Sequence, residues 1–117
     1  MRALEGLKPE KVFYYFEEIC NIPHGSGNLD KISSYLADFA KERGLFHIRD
    51  ASNNVIIIKE ATAGYEKVAP IILQGHMDMV AVKTNDAQID LEKDSLKLAV
   101  DGDDIYAEGT SLGGDDG

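Results

Sequence analysis

Val68-Ala69-Pro70-Ile71-Ile72-Leu73-Gln74-Gly75-His76-Met77-Asp78 is the stretch on which the reading of this chain turns. A short apolar run, rich in β-branched residues and preceded by the loop residues Ala63-Gly64-Tyr65-Glu66, has the length and character of a β-strand. Apolar residues at consecutive positions, rather than alternate ones, point to burial on both faces. Such a strand delivers His76 at its carboxyl end. Side chains two apart on extended backbone share a side, so His76 and Asp78 are expected to face together. In open α/β sheets, sites gather outside the carboxyl ends of strands, which is where this pair falls. Taken alone, a His-x-Asp pattern more often caps a strand end than binds anything.

Working outward, Val55-Ile56-Ile57-Ile58-Lys59 repeats the buried-strand character, and Leu45-Phe46-His47-Ile48-Arg49 precedes it across an Asn53-Asn54 turn. Further upstream the period changes to that of a helix. Val12, Phe13, Phe16, Ile19 and Cys20 form one apolar stripe after Pro9, a good first-turn residue. Ile32, Tyr35, Leu36, Phe39 and Ala40 form a second, with Asn28 as its expected cap and Gly44 as its left-handed stop. Downstream, Leu96-Lys97-Leu98-Ala99-Val100 and Ile105-Tyr106-Ala107 flank Asp101-Gly102-Asp103-Asp104, the pattern of a hairpin and its turn. Helices followed by buried strands predict an α/β domain with helices packed on a sheet.

At 117 residues the chain fits one domain and is long enough to bury a core. It carries a net charge of −9, which argues against nucleic acid and anionic membranes as partners. The charge is uneven: residues 1–85 carry one net negative charge and residues 86–117 carry eight. Most such acidic runs are solvated faces; a few carboxylates among them could hold a cation. No apolar run reaches the roughly 20 residues of a membrane helix. There is no signal-peptide core, and a single Cys excludes an intrachain disulfide, so a cytoplasmic location is expected.

The second stretch with chemistry in it is Gly109-Thr110-Ser111-Leu112-Gly113-Gly114-Asp115-Asp116-Gly117. Glycines let backbone bend and approach a bound group, and a carboxylate at such a loop can bridge two cations. The plain alternative is an Asp-Gly turn. The same stretch matches G-x-S-x-G, the elbow that presents a nucleophilic serine, here Ser111. That match is poor: the approach through Asp103-Asp104 is too polar for a central strand, and Gly-Gly-Asp-Asp-Gly is poor helix material. His24-Gly25-Ser26-Gly27 could touch a substrate but is explained as a turn between helices. His47 reads as packing or surface, and Cys20 as a small buried hydrophobe. Asp101-Gly102-Asp103-Asp104 does not fit a calcium-binding loop, and no phosphate-binding glycine pattern is present.

Together, in this order, the two motifs resemble the two metal-binding segments of the aminoacylase/carboxypeptidase-type co-catalytic metallopeptidases, and most of all their aminoacyl-histidine dipeptidase branch. Phe16-Glu17-Glu18-Ile19-Cys20-Asn21-Ile22-Pro23, followed by Ser26-Gly27-Asn28, looks like the same branch. The likeness spans essentially all 117 residues. It implies that His76 ligates one metal, that Asp78 orients His76, and that Asp115 bridges two metals, leaving Ser111 no nucleophilic role.

It also implies the N-terminal part of a three-layer helix/sheet/helix catalytic domain with a mixed sheet, residues 1–117, without the rest of that domain or the family's lid and dimerisation domain. The cofactors implied are two divalent metal ions, zinc first and manganese or cobalt as alternatives, bound weakly or not at all by these residues alone. The expected activity is hydrolysis of dipeptides of the Xaa-His type. A Glu-Glu pair beyond Gly117 would supply the general base and a further ligand, and the piece itself is expected to be inactive. The expected partners are a dipeptide substrate and, in the complete protein, a second copy; an exposed sheet edge could also drive self-association of the piece. The competing readings are a non-catalytic metal- or partner-binding domain of the same fold and a serine hydrolase using Ser111.

Overall fold

Pro9 marks the start of helix α1 (Glu10–Asn21), where its fixed φ and missing N–H cost nothing. This computed structural model describes residues 2–114. Along α1, Cys20 is buried and Phe13, Phe16 and Ile19 are half-buried, whereas Val12 is exposed and stands outside the expected stripe. Glu17, also buried, keeps its charge tied: its carboxylate accepts the N–H groups of Ala3 and Leu4 at 2.7 and 3.1 Å and pairs with Arg2 at 3.4 Å. This fixes the N-terminal residues along the helix.

Helix α2 (Asp30–Glu42) buries Ile32, Ser33 and Ala40. Its cap differs from expectation. Leu29 occupies the cap position with no side-chain hydrogen bond, and the amide of Asn28 donates instead to the carbonyl of Glu92, 3.1 Å away. Asn28 thus joins two loops rather than closing a helix end. The carboxyl end follows the sequence reading: Gly44, at φ +65, donates to Lys41, and Leu45 donates to Ala40 at 2.9 Å. This pair of bonds satisfies carbonyls that the helix leaves open.

Strands β1 (Phe46–Arg49) and β2 (Val55–Ile58) form an antiparallel hairpin with Phe46 opposite Ile58. The hairpin packs on α2, where Ser33 donates to the carbonyl of Asn53 at 2.9 Å and Arg49 reaches Ser34 at 2.8 Å. A second hairpin, β3 (Leu98–Asp101) and β4 (Asp104–Ala107), turns at Gly102 and Asp103 as the sequence predicts. Cys20, Met79, Leu96 and Ala107 form a small core under α1, with Phe16, Leu91, Leu98 and Leu112 around it.

Residues 68–75 are the largest departure from expectation. They form no strand, and Ile71, Ile72 and Leu73 are 86%, 87% and 92% exposed. Residues 56–58 of β2, expected to be buried on both faces, are exposed as well. A strand of this composition needs neighbours on both edges and both faces, and among the described residues none bonds to the backbone of residues 69–75. A cleft of about 490 Å³, lined by Leu36, Val55 and residues 72–77, separates this arm from α2 and β2. The chain exposes 8637 Å², against about 6,300 Å² for a compact protein of its mass. Its radius of gyration of 16.4 Å likewise exceeds the roughly 13 Å of a compact domain. The core is real but local.

Candidate functional site

His76 and Asp78 lie where the open arm re-enters the packed region. Met79 anchors the re-entry. Its side chain is buried, its N–H donates to the carbonyl of His24 at 3.0 Å, and its carbonyl accepts the N–H of Ser26 at 3.1 Å. These bonds make a short parallel bridge between Gly25 and Met79. Asp78 is thus one residue from a fixed point. His76 is two further back, where no backbone bond of this kind is made among the described residues.

The two side chains meet as the i, i+2 spacing predicts, although the backbone there is not in a strand. Nδ1 of His76 lies 2.9 Å from the carbonyl oxygen of Asp78 and 3.1 Å from its Oδ1. Both neighbours are acceptors, so Nδ1 carries the proton, and Nε2 is the nitrogen whose lone pair can ligate a metal. The other carboxylate oxygen, Oδ2, accepts a 2.5 Å hydrogen bond from the hydroxyl of Ser26. That bond, and the His76 imidazole after it, hold the Asp78 carboxyl below the usual carboxylate range. His76 and Asp78 keep 52% and 39% of their side-chain surface exposed, enough for a ligand to reach them.

The second motif is drawn to the first. Residues 82–84 run beside 109–111, with Thr84 donating to Gly109 at 2.8 Å and Ser111 to Val82 at 2.9 Å. The loop then passes Met79 so closely that a Cβ on Gly113 would stand 2.9 Å from the Cβ of Met79, and one on Gly114 would strike the ring of Phe16. The glycines therefore let the loop pack closely on Met79 and Phe16. Asp115 lies outside the described residues. Among the described residues, no three His, Cys, Asp or Glu side chains converge as a metal would need. The donor chemistry at His76 nonetheless fits such an ion, since acceptors face Nδ1 and a neutral imidazole donating to them keeps its lone pair on Nε2.

Ser111 is not presented as a nucleophile. Its hydroxyl donates to the carbonyl of Val80 at 2.7 Å, and the residue sits on a loop rather than at a strand-to-helix elbow. His24 is buried, with Nδ1 2.7 Å from the carbonyl of Ile22. Ser26 is the residue that sequence reasoning passed over: a polar side chain between two glycines reads as a turn, and nothing in the sequence marks a partner 52 positions away.

Comparison with known proteins shows what the chain as a whole is similar to. No family model matches the sequence. Over 118 aligned positions covering the whole chain, it is 42% identical to the cytosol non-specific dipeptidase of Escherichia coli (strain K12), of which it spans 24%. The fold matches the N-terminal part of the crystal structure of aminoacylhistidine dipeptidase from Vibrio alginolyticus, with a TM-score of 0.90 and 37% identity over 96% of this chain and 23% of that one. The chain thus spans about a quarter of the length of these relatives. The resemblance read from the two motifs is borne out in sequence and in fold.

Proposed function

We propose that this chain is the N-terminal part of the catalytic domain of a metal-dependent dipeptidase, and that the complete protein hydrolyses dipeptides of the Xaa-His type. The observation that carries the reading is the pairing of His76 with Asp78 beside the glycine loop that leads to Asp115, in a chain 42% identical to a dipeptidase. His76 would ligate one ion through Nε2, and Asp115 would bridge two. When bound, two divalent ions, zinc in this reading, would supply a water of lowered pKa and polarise the scissile carbonyl.

This chain's own residues hold and orient. Asp78 keeps the proton on Nδ1 of His76 and stabilises charge that the imidazole acquires on binding a cation. The loop of residues 109–114 packs against Met79, the residue after Asp78, and Asp115 is the next residue in the sequence. A carboxylate in the remainder of the complete protein takes the water's proton and passes it to the leaving amine. That remainder would also cover the apolar arm, and a lid domain would complete a homodimer in the cytoplasm.

Two ligands are fewer than the three protein ligands of an ordinary catalytic zinc site, so residues 1–117 alone should bind zinc weakly and cleave nothing. With the arm uncovered, they should self-associate, as the exposed Ile71, Ile72 and Leu73 demand. Sedimentation showing a clean monomer at high concentration would count against that. The complete protein provides the decisive test. Replacing Asp78 with Ala should lower metal affinity or turnover of an Xaa-His dipeptide by about 10–100-fold. Unchanged metal content and unchanged turnover would remove Asp78 from the site.

A further inference from the structure

We infer that Ser26 is a positioning residue for the site: its hydroxyl locks the Asp78 carboxylate in the one orientation that leaves Oδ1 to His76. The inference rests on the dipeptidase reading for its purpose, but its geometry stands without it.

An Asp side chain on exposed backbone ordinarily rotates among staggered positions. Here each carboxylate oxygen has a separate task. Oδ1 lies 3.1 Å from Nδ1 of His76, and Oδ2 accepts from Ser26 at 2.5 Å. A serine hydroxyl has one proton to give. Its other acceptor in reach, the carbonyl of Met79, lies at 3.5 Å, so the shorter, charge-assisted bond to the carboxylate takes it.

The loop around Ser26 is built as a mount. Asn28 donates to the carbonyl of Gly25 at 2.8 Å, closing a turn with Ser26 and Gly27 at its corners, and Gly27 takes the φ of +83 that such a turn needs. Ser26 donates its own N–H to Met79, and Met79 donates to His24. One backbone bond therefore closes the turn and two more hold it against Met79, the residue that follows Asp78. A turn between two helices needs the glycine. It does not need a hydroxyl aimed at a carboxylate 52 residues away. The His76 imidazole meets the carboxylate that the serine holds, so the hydroxyl's grip on Asp78 is passed on to the imidazole.

The test needs neither metal nor substrate, which separates it from the dipeptidase reading. In the isotopically labelled chain, three-bond couplings to Cγ of Asp78 report whether its χ1 is fixed or averaged. The wild-type chain should give the couplings of one rotamer. Ser26→Ala should lose them to averaged values while the amide shifts of His24 and Met79 stay in place, and Ser26→Thr, which keeps the hydroxyl, should restore them. A single Asp78 rotamer in Ser26→Ala would overturn the inference. Equal averaging in the Ala and Thr variants would overturn it too, since the hydroxyl would then not be the cause.

Discussion

The chain holds two regions of similar apolar content and opposite fate. Around Met79, the loop of residues 24–28, helix α1 and the β3–β4 hairpin share a core, and backbone groups far apart in sequence bond to one another. In the arm of residues 68–75, equally apolar side chains stand in solvent, and from residue 69 to residue 75 the backbone bonds to nothing among the described residues. Hydrophobic character therefore did not decide which region packed. Available neighbours did. The candidate site sits on the seam: Asp78 bonds to Ser26 on the packed side, and His76, which meets Asp78, follows the open arm.

Truncations on the two sides should break this symmetry of composition most visibly. Met79→Ala, in the core, should cost about 2–5 kcal/mol in urea unfolding, whereas Leu73→Ala, in the arm, should change stability by less than about 0.5 kcal/mol. Comparable costs would mean that the arm is packed in solution. Next in size is Gly113→Ala. Its Cβ would meet Met79 and its φ is +65, so a loss of about 1–3 kcal/mol is expected, with amide shifts concentrated at Met79. Gly44→Ala has open space around it and only the left-handed φ of +65 to resist it, so thermal unfolding should report about 1 kcal/mol.

The smallest effect belongs to the turn of the β1–β2 hairpin. The side-chain amide of Asn54, then its N–H and that of Ser52, donate to Asp50 and hold its carboxyl below its usual value of 3.8. A carboxyl depressed in the folded state stabilises it above the unfolded pKa, about 3.9, and that contribution is lost as pH falls below it towards the lowered value. Protection of the Asn54 amide should accordingly fall through that acid range. Asp50→Asn should flatten the response, and an unchanged pH dependence in that variant would assign it elsewhere.

The helices and both hairpins were legible in the sequence because their signals are local: the proline before α1, the glycine after α2, the periodic stripes and the Gly102-Asp103 turn. The pairing of His76 with Asp78 was legible for the same reason, as two residues need only extended backbone to meet. Residues 68–75 misled because an apolar run states what a segment would bury against, not whether those neighbours are at hand. Asn28 misled because a capping side chain is equally suited to a loop carbonyl, here that of Glu92. Ser26 stood in a stretch that the sequence marked, but its bond to Asp78 was not legible because it is a contact across the fold.

Amide hydrogen exchange reads the seam residue by residue. The amides of Ser26 and Met79, which carry the mount of the site, should exchange slowly, while those of Ile71, Ile72 and Leu73 should exchange at the rates of an unfolded chain. Protection of all five alike, or slow exchange in the arm with fast exchange at Met79, would contradict the account of a site set between a packed region and an open arm.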